Sequence, residues 1–405
     1  MMILVLNAGS SSQKSALYDV SPEALPDQPP APLWEGQLDW SQKDVAQLTV
    51  KTHTGKEHSE SIEKSSCKES LLYLLNLLHQ EPTKVISELS DVDVIGHRVV
   101  HGGADYQSSV IITPNVKQTI NQLIALAPNH NPVNLEGIEL AEQLLPDTPQ
   151  VAVFDTAFHS QMPLVASTYP GPYDWVEQGI RRYGFHGISH QYCAHRAAQI
   201  LNRDLKTLRL ITCHLGNGGS LAAVKNGKSV DTTMGYTPLD GLMMGTRSGA
   251  VDPGILIHLM RQGMTGDQLD QLLNKESGVL GISGISHDFR VVKEAIEHNN
   301  ERAQLAKDLY LYRLKACVGS MLMALGGADA IVFAGGVGAN SDWLRLSVCE
   351  SMAFLGLKLN LEKNSSSPVD VDIATHDSTV RVLVIKTEED WAIAQECWHT
   401  LKRNH

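Results

Sequence analysis

No apolar run in this 405-residue sequence is long enough to cross a bilayer; the longest candidate, Ala316 to Gly338, is broken by Asp329 and several glycines. The start of the chain has no basic segment ahead of its short apolar stretch, so no signal peptide is expected. Positive charge is also in short supply. The formal net charge is -12, which argues against a cation-coated surface and sets nucleic acid aside as a partner. Cysteine is sparse: the six at 67, 193, 213, 317, 349 and 397 form no CxxC pair. Free thiols in a reducing cytoplasm are expected.

What remains is a globular composition, 42% apolar and 19% charged, in a chain too long for one ordinary core. Ile3 to Asp19 reads as a β-hairpin whose turn is Asn7-Ala8-Gly9-Ser10-Ser11-Ser12. The four prolines between Ser21 and Ala31 mark a surface loop. Helical periodicity covers Ser70 to His79, Thr119 to Leu126 and Asp308 to Leu325. Buried strands are expected at Asp93 to Val100, Gln150 to Phe154, Ala330 to Ala334 and Val380 to Ile385, and a terminal helix at Trp391 to Leu401. Leu208 to Val224 repeats the opening pattern of strand, Gly/Ser/Asn turn and returning strand, and Asn226 to Lys228 closes a further hairpin. Two similar lobes facing each other across a cleft would produce such a repeat.

Three Gly-rich turns follow strands: NAGSSSQK, HLGNGGS at His214 to Ser220, and GGVGAN at Gly335 to Asn340. Glycine and serine let backbone N–H groups approach an anion, and Lys14 adds a mobile charge. An ordinary serine-rich turn is the plain alternative for the first, and the spacing is not that of a P-loop. Arg98 in GHRVVHGG and Arg247 in MGTRSG suit bidentate binding of a carboxylate or phosphate, or a structural ion pair. Asp155 ends a strand, where a carboxylate commonly meets a ligand. Of Glu388, Glu389 and Asp390, one could hold Mg²⁺, or all three could simply favour a helix start. The i, i+4 pair His186/His190 invites a zinc reading, but no HExxH glutamate is present. His97 and His101 sit beside a glycine corner, where a histidine serves best as a donor to developing negative charge.

Together these segments closely resemble the acetate kinase family and its short-chain acyl kinase relatives. The matching blocks are VLNAGSSSQK, GHRVVHGG, HNPVNLEGI, VAVFDTAFH, YGFHGISH, HLGNGGSLAAVKNGKSVDTTMGYTPLDGLMMGTRSG, ESGVLGISGISHDFR, FAGGVGAN and TEEDWAIA, in the family's order. The resemblance implies an α/β fold of two similar lobes of the actin-like ATPase (ribonuclease H-like) type with a nucleotide cleft. It implies an N-terminal lobe of 1–154 joined by 390–405, and a nucleotide-binding and dimerisation lobe of 155–389. The implied reaction is reversible in-line transfer of the ATP γ-phosphoryl to acetate, giving acetyl phosphate and ADP. Mg²⁺ is the implied cofactor, with Mn²⁺ as an alternative, in a cytoplasmic homodimer that involves neither nucleic acid nor membrane.

By the same resemblance Asp155, His186, Arg247 and Arg98 are catalytic. Arg98, Val100, Asn129, Phe185 and Pro238 bind the acid. Lys14, Ser10, Ser12, His214, Leu215, Gly216, Asn217, Gly218, Asp288, Phe289, Arg290, Gly336, Val337, Gly338, Ala339 and Asn340 bind ATP, and Asn7 and Glu389 hold the metal. The chain departs from the family at Asn129, where LAPLHNP has leucine. A buried amide needs a partner, so the pocket is expected either to admit a more polar acid or to leave Asn129 turned away. Milder departures are Ala250-Val251-Asp252 after MGTRSG, Ala339 for glutamate and His287 for serine. Competing readings are a propionate, butyrate or hydroxy-acid kinase, a non-catalytic nucleotide-binding regulator, and a zinc hydrolase.

Overall fold

The computed structural model describes residues 1–9, 12–40, 45–63, 67–128, 130–366 and 368–404, excepting the side chains of Cys67 and Asn404. Ser10 and Asn129 therefore lie outside the described residues. The chain divides into two compact units, one of residues 1–157 with 388–405 and one of residues 158–387. Asp155 and Glu389 thus belong to the first unit.

The first unit is built on an eight-stranded sheet. Its strands are β1 (Met2–Ala8), β2 (Ser12–Asp19), β3 (Trp34–Asp39), β4 (Val45–Thr52), β5 (Glu57–Glu63), β6 (Val94–Val99), β7 (Val110–Ile111) and β8 (Gln150–Phe154), in the order β5-β4-β3-β2-β1-β6-β8-β7. β1, β6 and β8 run parallel to one another, whereas β1 to β5 form an antiparallel meander. The burial pattern follows position in the sheet. Ile3 to Leu6 are buried throughout, as a central strand covered on both faces must be, while β4 alternates and β5 is largely exposed at the edge. The C-terminal helix Glu389–Asn404 lies against β1 and β6. Gly96 permits this approach, since a Cβ there would stand 2.5 Å from Cys397 Sγ and 2.7 Å from Ile393 Cγ2.

The second unit holds a six-stranded sheet of β9 (Arg209–Leu215), β10 (Gly219–Lys225), β11 (Lys228–Thr232), β12 (Ala330–Ala334), β13 (Val371–Asp372) and β14 (Arg381–Val384), in the order β11-β10-β9-β12-β14-β13. Here β9, β12 and β14 are parallel. The β10–β11 turn has Asn226 and Gly227 at φ 55° and 80°, the pair of positive values that a tight hairpin requires. The long helix is Glu301–Leu325, beginning seven residues before the expected Asp308. Its first turns carry only Ala303 and Ala306 as an apolar signal, but both are buried, and the Asn300 side chain caps the start by accepting from Ala303 N–H. Gly326 ends it in the left-handed region at φ 67°.

GGVGAN is a second correction: residues Gly335–Asn340 form a short helix, not a turn. Gly335 sits at φ 75°, where a Cβ would meet Leu215 O at 2.6 Å. The fully buried Arg345 donates to the carbonyls of Gly338 and Ala339 at 3.0 and 2.6 Å. These tertiary contacts override the local glycine propensity. The described cysteines other than Cys67 are free thiols, and no helix among the described residues is long and apolar enough to cross a membrane.

Candidate active site

In the first unit the expected residues gather where the parallel strands end. Asn7 lies near the end of β1, Arg98 near the end of β6, and Asp155 directly follows β8. Lys14 is the cross-strand partner of Asn7 on β2, and its side chain is exposed. Arg98 donates to Asp155 Oδ2 from Nη2 at 2.5 Å and from Nε at 3.1 Å, and to Asn7 Oδ1 from Nη1 at 3.3 Å. Asn7 Nδ2 in turn donates to Asp390 Oδ1 at 2.7 Å. Burial opposes the charge on Arg98, but Asp155, Glu389 and Asp390 outweigh it and hold the guanidinium firmly protonated. The geometry leaves one further N–H on each terminal nitrogen of Arg98 for a ligand.

Asp390 is the residue that sequence reasoning placed only loosely. Burial raises its carboxyl pKa, the Asn7 bond works the other way, and neighbouring Glu389 raises it further. Only its place in TEED could have flagged it.

Val100, expected in the acid pocket, is buried. Its backbone N–H donates to Asn134 Oδ1 at 3.1 Å, and His101 N–H donates to Asn131 Oδ1 at 3.2 Å. The HNPVN motif thus fixes the corner that follows Arg98. His97 does not serve as an anion donor. It is buried, its pKa is pushed down to about 4 by desolvation, and its Nε2 accepts from the Gln150 amide at 2.7 Å. Position 97 points away from the position 98 side because successive strand residues alternate.

The second unit assembles a different set. His186 precedes helix Gly187–Leu201 and adopts the left-handed conformation, φ 58°, a strained choice that surrounding contacts must enforce. His159 helps: its Nε2 donates to Phe185 O at 3.1 Å, and its Nδ1 accepts from Ser229 at 2.7 Å. The His186 ring stacks on His214 with centroids 4.3 Å apart, and Ser189 binds His214 Nδ1 at 2.8 Å. The place a Gly218 Cβ would occupy is 3.6 Å from Arg247 Nη1 and 3.7 Å from His186 Nε2. A cationic fork and an imidazole therefore flank the Gly218 backbone, which has no side chain to separate them.

Arg247 is half-buried, desolvation lowers its pKa, and no carboxylate pairs with it among the described residues. Its loop is fixed by Val279 N–H and Leu280 N–H donating to the carbonyls of Met244 and Gly245, both at 2.9 Å. Phe185 is buried and Pro238 half-buried. Asp288 caps helix Phe289–Glu297 and pairs with the exposed Arg290 at 2.6 Å. Phe289 turns inward, 4.8 Å from the Tyr310 ring and 5.5 Å from that of Trp343. The zinc reading fails on geometry. Both ring nitrogens of His190 are engaged, with Thr212 and Ser220, each at 2.7 Å.

The sequence profile described as the Acetokinase family matches residues 2–395. The chain belongs to the acetokinase family. Its relatives include an acetate kinase of Nostoc sp., 62% identical over 405 residues and covering all of both chains. Another is an acetate kinase of Acaryochloris marina, 62% identical over 398 residues, 98% of this chain and 99% of the other. Among solved structures, Porphyromonas gingivalis acetate kinase matches with a TM-score of 0.89 at 40% identity, covering 99% of each chain. A Francisella tularensis propionate kinase matches at 0.88 and 38%, covering 98% of this chain and 99% of that one. The acetokinase fold, two α/β units of the actin-like ATPase type, is therefore that of this chain. Pattern reading missed the Thr212 hydroxyl and gave Ser220 no contact with His186, and it took His190 only as half of a zinc pair. A buried threonine hydroxyl on a strand carries no motif of its own.

Proposed function

We propose that this acetokinase-family protein is an acetate kinase, transferring the γ-phosphoryl of ATP reversibly to the carboxylate of acetate. Its full-length relatives carry that name, and the single structural observation behind the reading is the pairing of His186 and Arg247 around Gly218. A partly desolvated guanidinium with no acidic partner among the described residues is a costly arrangement. An anion would relieve it, and a transferring phosphoryl spreads its charge over oxygens that two such donors can take.

The acid's carboxylate oxygen attacks phosphorus as the bond to the bridging oxygen of ADP breaks. The acceptor is already ionised at neutral pH, so no general base is needed. Arg98 holds the carboxylate, and Asp155 holds Arg98. His186 and Arg247 bind the phosphoryl oxygens. Lys14, Ser12, and the segments His214 to Gly218, Asp288 to Arg290 and Gly336 to Asn340 serve the nucleotide, with Ser10 expected alongside. Val100, Phe185 and Pro238 line the acyl pocket.

Asn7, Glu389 and Asp390 fit Mg²⁺: they offer hard oxygen donors, and the crowding that raises the Asp390 pKa is what a cation would offset. When bound, Mg²⁺, or Mn²⁺ in its place, neutralises phosphate charge. Homodimerisation is supported by helix Pro253–Arg261, none of whose residues is buried. Ile255, Ile257 and Met260 are exposed there, as are Tyr312 and Met323 on helix Glu301–Leu325. A cytoplasmic location would suit free thiols.

Hydroxylamine trapping of acyl phosphate, with acetate, propionate, butyrate, glycolate and lactate compared by kcat/KM, tests the reading. Acetate is expected to lead. Acyl phosphate formation led by another acid would reassign the substrate, and no formation with any acid would remove the function.

A further inference from the structure

We infer that Thr212, His190 and Ser220 form a hydroxyl–imidazole relay that fixes neutral His186 as its Nδ1–H tautomer, so that His186 donates from Nε2 only as an imidazolium. The direction of the relay is set at its far end. The Thr212 hydroxyl donates to Ala222 O, 3.4 Å away across the β9–β10 ladder, and a carbonyl can only accept. With its proton given to Ala222 O, Thr212 Oγ1 accepts at 2.7 Å from His190 Nδ1–H. His190 is buried and neutral: desolvation, then His159 and His214, drive its pKa well down. With Nδ1 protonated, its Nε2 is an acceptor and takes the Ser220 hydroxyl proton at 2.7 Å. Ser220 has no second proton to give, so it accepts from His186 Nδ1–H at 2.9 Å.

The consequence is chemical. Neutral His186 presents a lone pair from Nε2, which would repel a phosphoryl oxygen. Donation there requires a second proton. Groups that face the ring include His214, stacked at 4.3 Å, Arg247 across Gly218, and His190 through Ser220. Arg247 opposes that proton, and so does His214 whenever it is charged. A phosphoryl dianion favours it. His186 is thereby a group whose charge follows the presence of the phosphoryl. Thr212, His190 and Ser220 are positioning residues, acting through His186.

The catalytic half of this inference rests on the acyl-kinase reading, whereas the tautomer does not. Two measurements on the full chain separate them. Long-range ¹H–¹⁵N correlation on ¹⁵N-histidine-labelled protein, with His186 assigned from the His186→Asn spectrum, should show the Nδ1–H form at alkaline pH. Ser220→Ala and Thr212→Val should move His186 mainly to Nε2–H, and Thr212→Ser should not. In kinetics, wild-type kcat should fall about tenfold per pH unit above the His186 pKa. That fall should shrink to less than about threefold per unit in Ser220→Ala and Thr212→Val, whose neutral His186 can donate. Nε2–H in the wild type would overturn the relay. So would variants that lose activity yet keep the wild-type tautomer and pH profile, since a merely structural role predicts that result. If Ser220→Ala fails to fold, the Thr212→Val and Thr212→Ser pair still decides. A wild type with the expected tautomer but no turnover with any acid would sink the function and leave the relay standing.

Discussion

The two units share a core strand order, β3-β2-β1-β6-β8 in the first and β11-β10-β9-β12-β14 in the second. In both, an antiparallel hairpin leads into parallel strands. Yet the chemistry at those strand ends is opposite. The first unit holds its functional groups in a charged chain, Asp155–Arg98–Asn7–Asp390, each member satisfied by the next. The second holds imidazoles and hydroxyls around one arginine that has no carboxylate among the described residues. One fold thus supplies places, and side chains decide whether charge is compensated inside the protein or left for a ligand to compensate.

The sharpest way to break this comparison is to remove one arginine from each unit. Arg98→Ala should have the largest effect, because it damages both binding and the fold. Asp155 has a side chain only 3% exposed, and losing its partner would leave a buried charge, a cost of about 3–5 kcal/mol. Denaturant unfolding should show that loss alongside a fall in kcat/KM for acetate of at least about 10². A stable Arg98→Ala protein would mean that the ion pair is not structural.

Arg247→Ala should lose a similar factor of about 10² or more in kcat while its stability holds or rises, since an unpaired desolvated charge is removed. Near-normal turnover would withdraw its catalytic role. Loss of stability matching that of Arg98→Ala would erase the distinction between the units.

Much of this was legible in the sequence, for identifiable reasons. β12 and, after Gln150, β8 run as uninterrupted apolar stretches, which only a covered strand tolerates, and their limits were as expected. The Asn226-Gly227 hairpin announced itself through residues that accept positive φ. Arg98 and Arg247 stood out as arginines among glycines, Asp155 as a carboxylate ending a buried strand, and His186 through the family resemblance. What stayed hidden depended on partners distant in sequence. The helical state of GGVGAN rests on Arg345 and Leu215, and the start of the long helix rests on burial of two alanines. The neutrality of His97 rests on its burial, and the orientation of His186 rests on Ser220. No local pattern encodes those contacts.

Asn129 offers a smaller test, of specificity. Restoring the family's leucine by Asn129→Leu should change the acetate-to-glycolate ratio of kcat/KM by about 10-fold in favour of acetate, the scale set by one small side chain in an apolar pocket. An unchanged ratio would place position 129 outside the acyl pocket.

The smallest effect should come from Asp390, and its sign tests the charged chain of the first unit. Burial, reinforced by Glu389, raises the folded-state pKa of this carboxyl above its unfolded value. Between the two values the folded protein binds more protons than the unfolded chain, so stability falls as pH rises through that window. Below the unfolded pKa there is no penalty, and above the folded pKa it is complete. Asp390→Asn removes the titration while keeping an oxygen for Asn7 Nδ2. The variant should therefore gain on the wild type as pH is raised from about 3 to 7, in paired Tm measurements without metal. Adding Mg²⁺ should reverse the order, because a cation would relieve the wild-type carboxylates and find one fewer in the variant. A Tm difference that is constant across pH, or blind to Mg²⁺, would show that the carboxylate crowding in the first unit is already compensated within the protein and needs no ion.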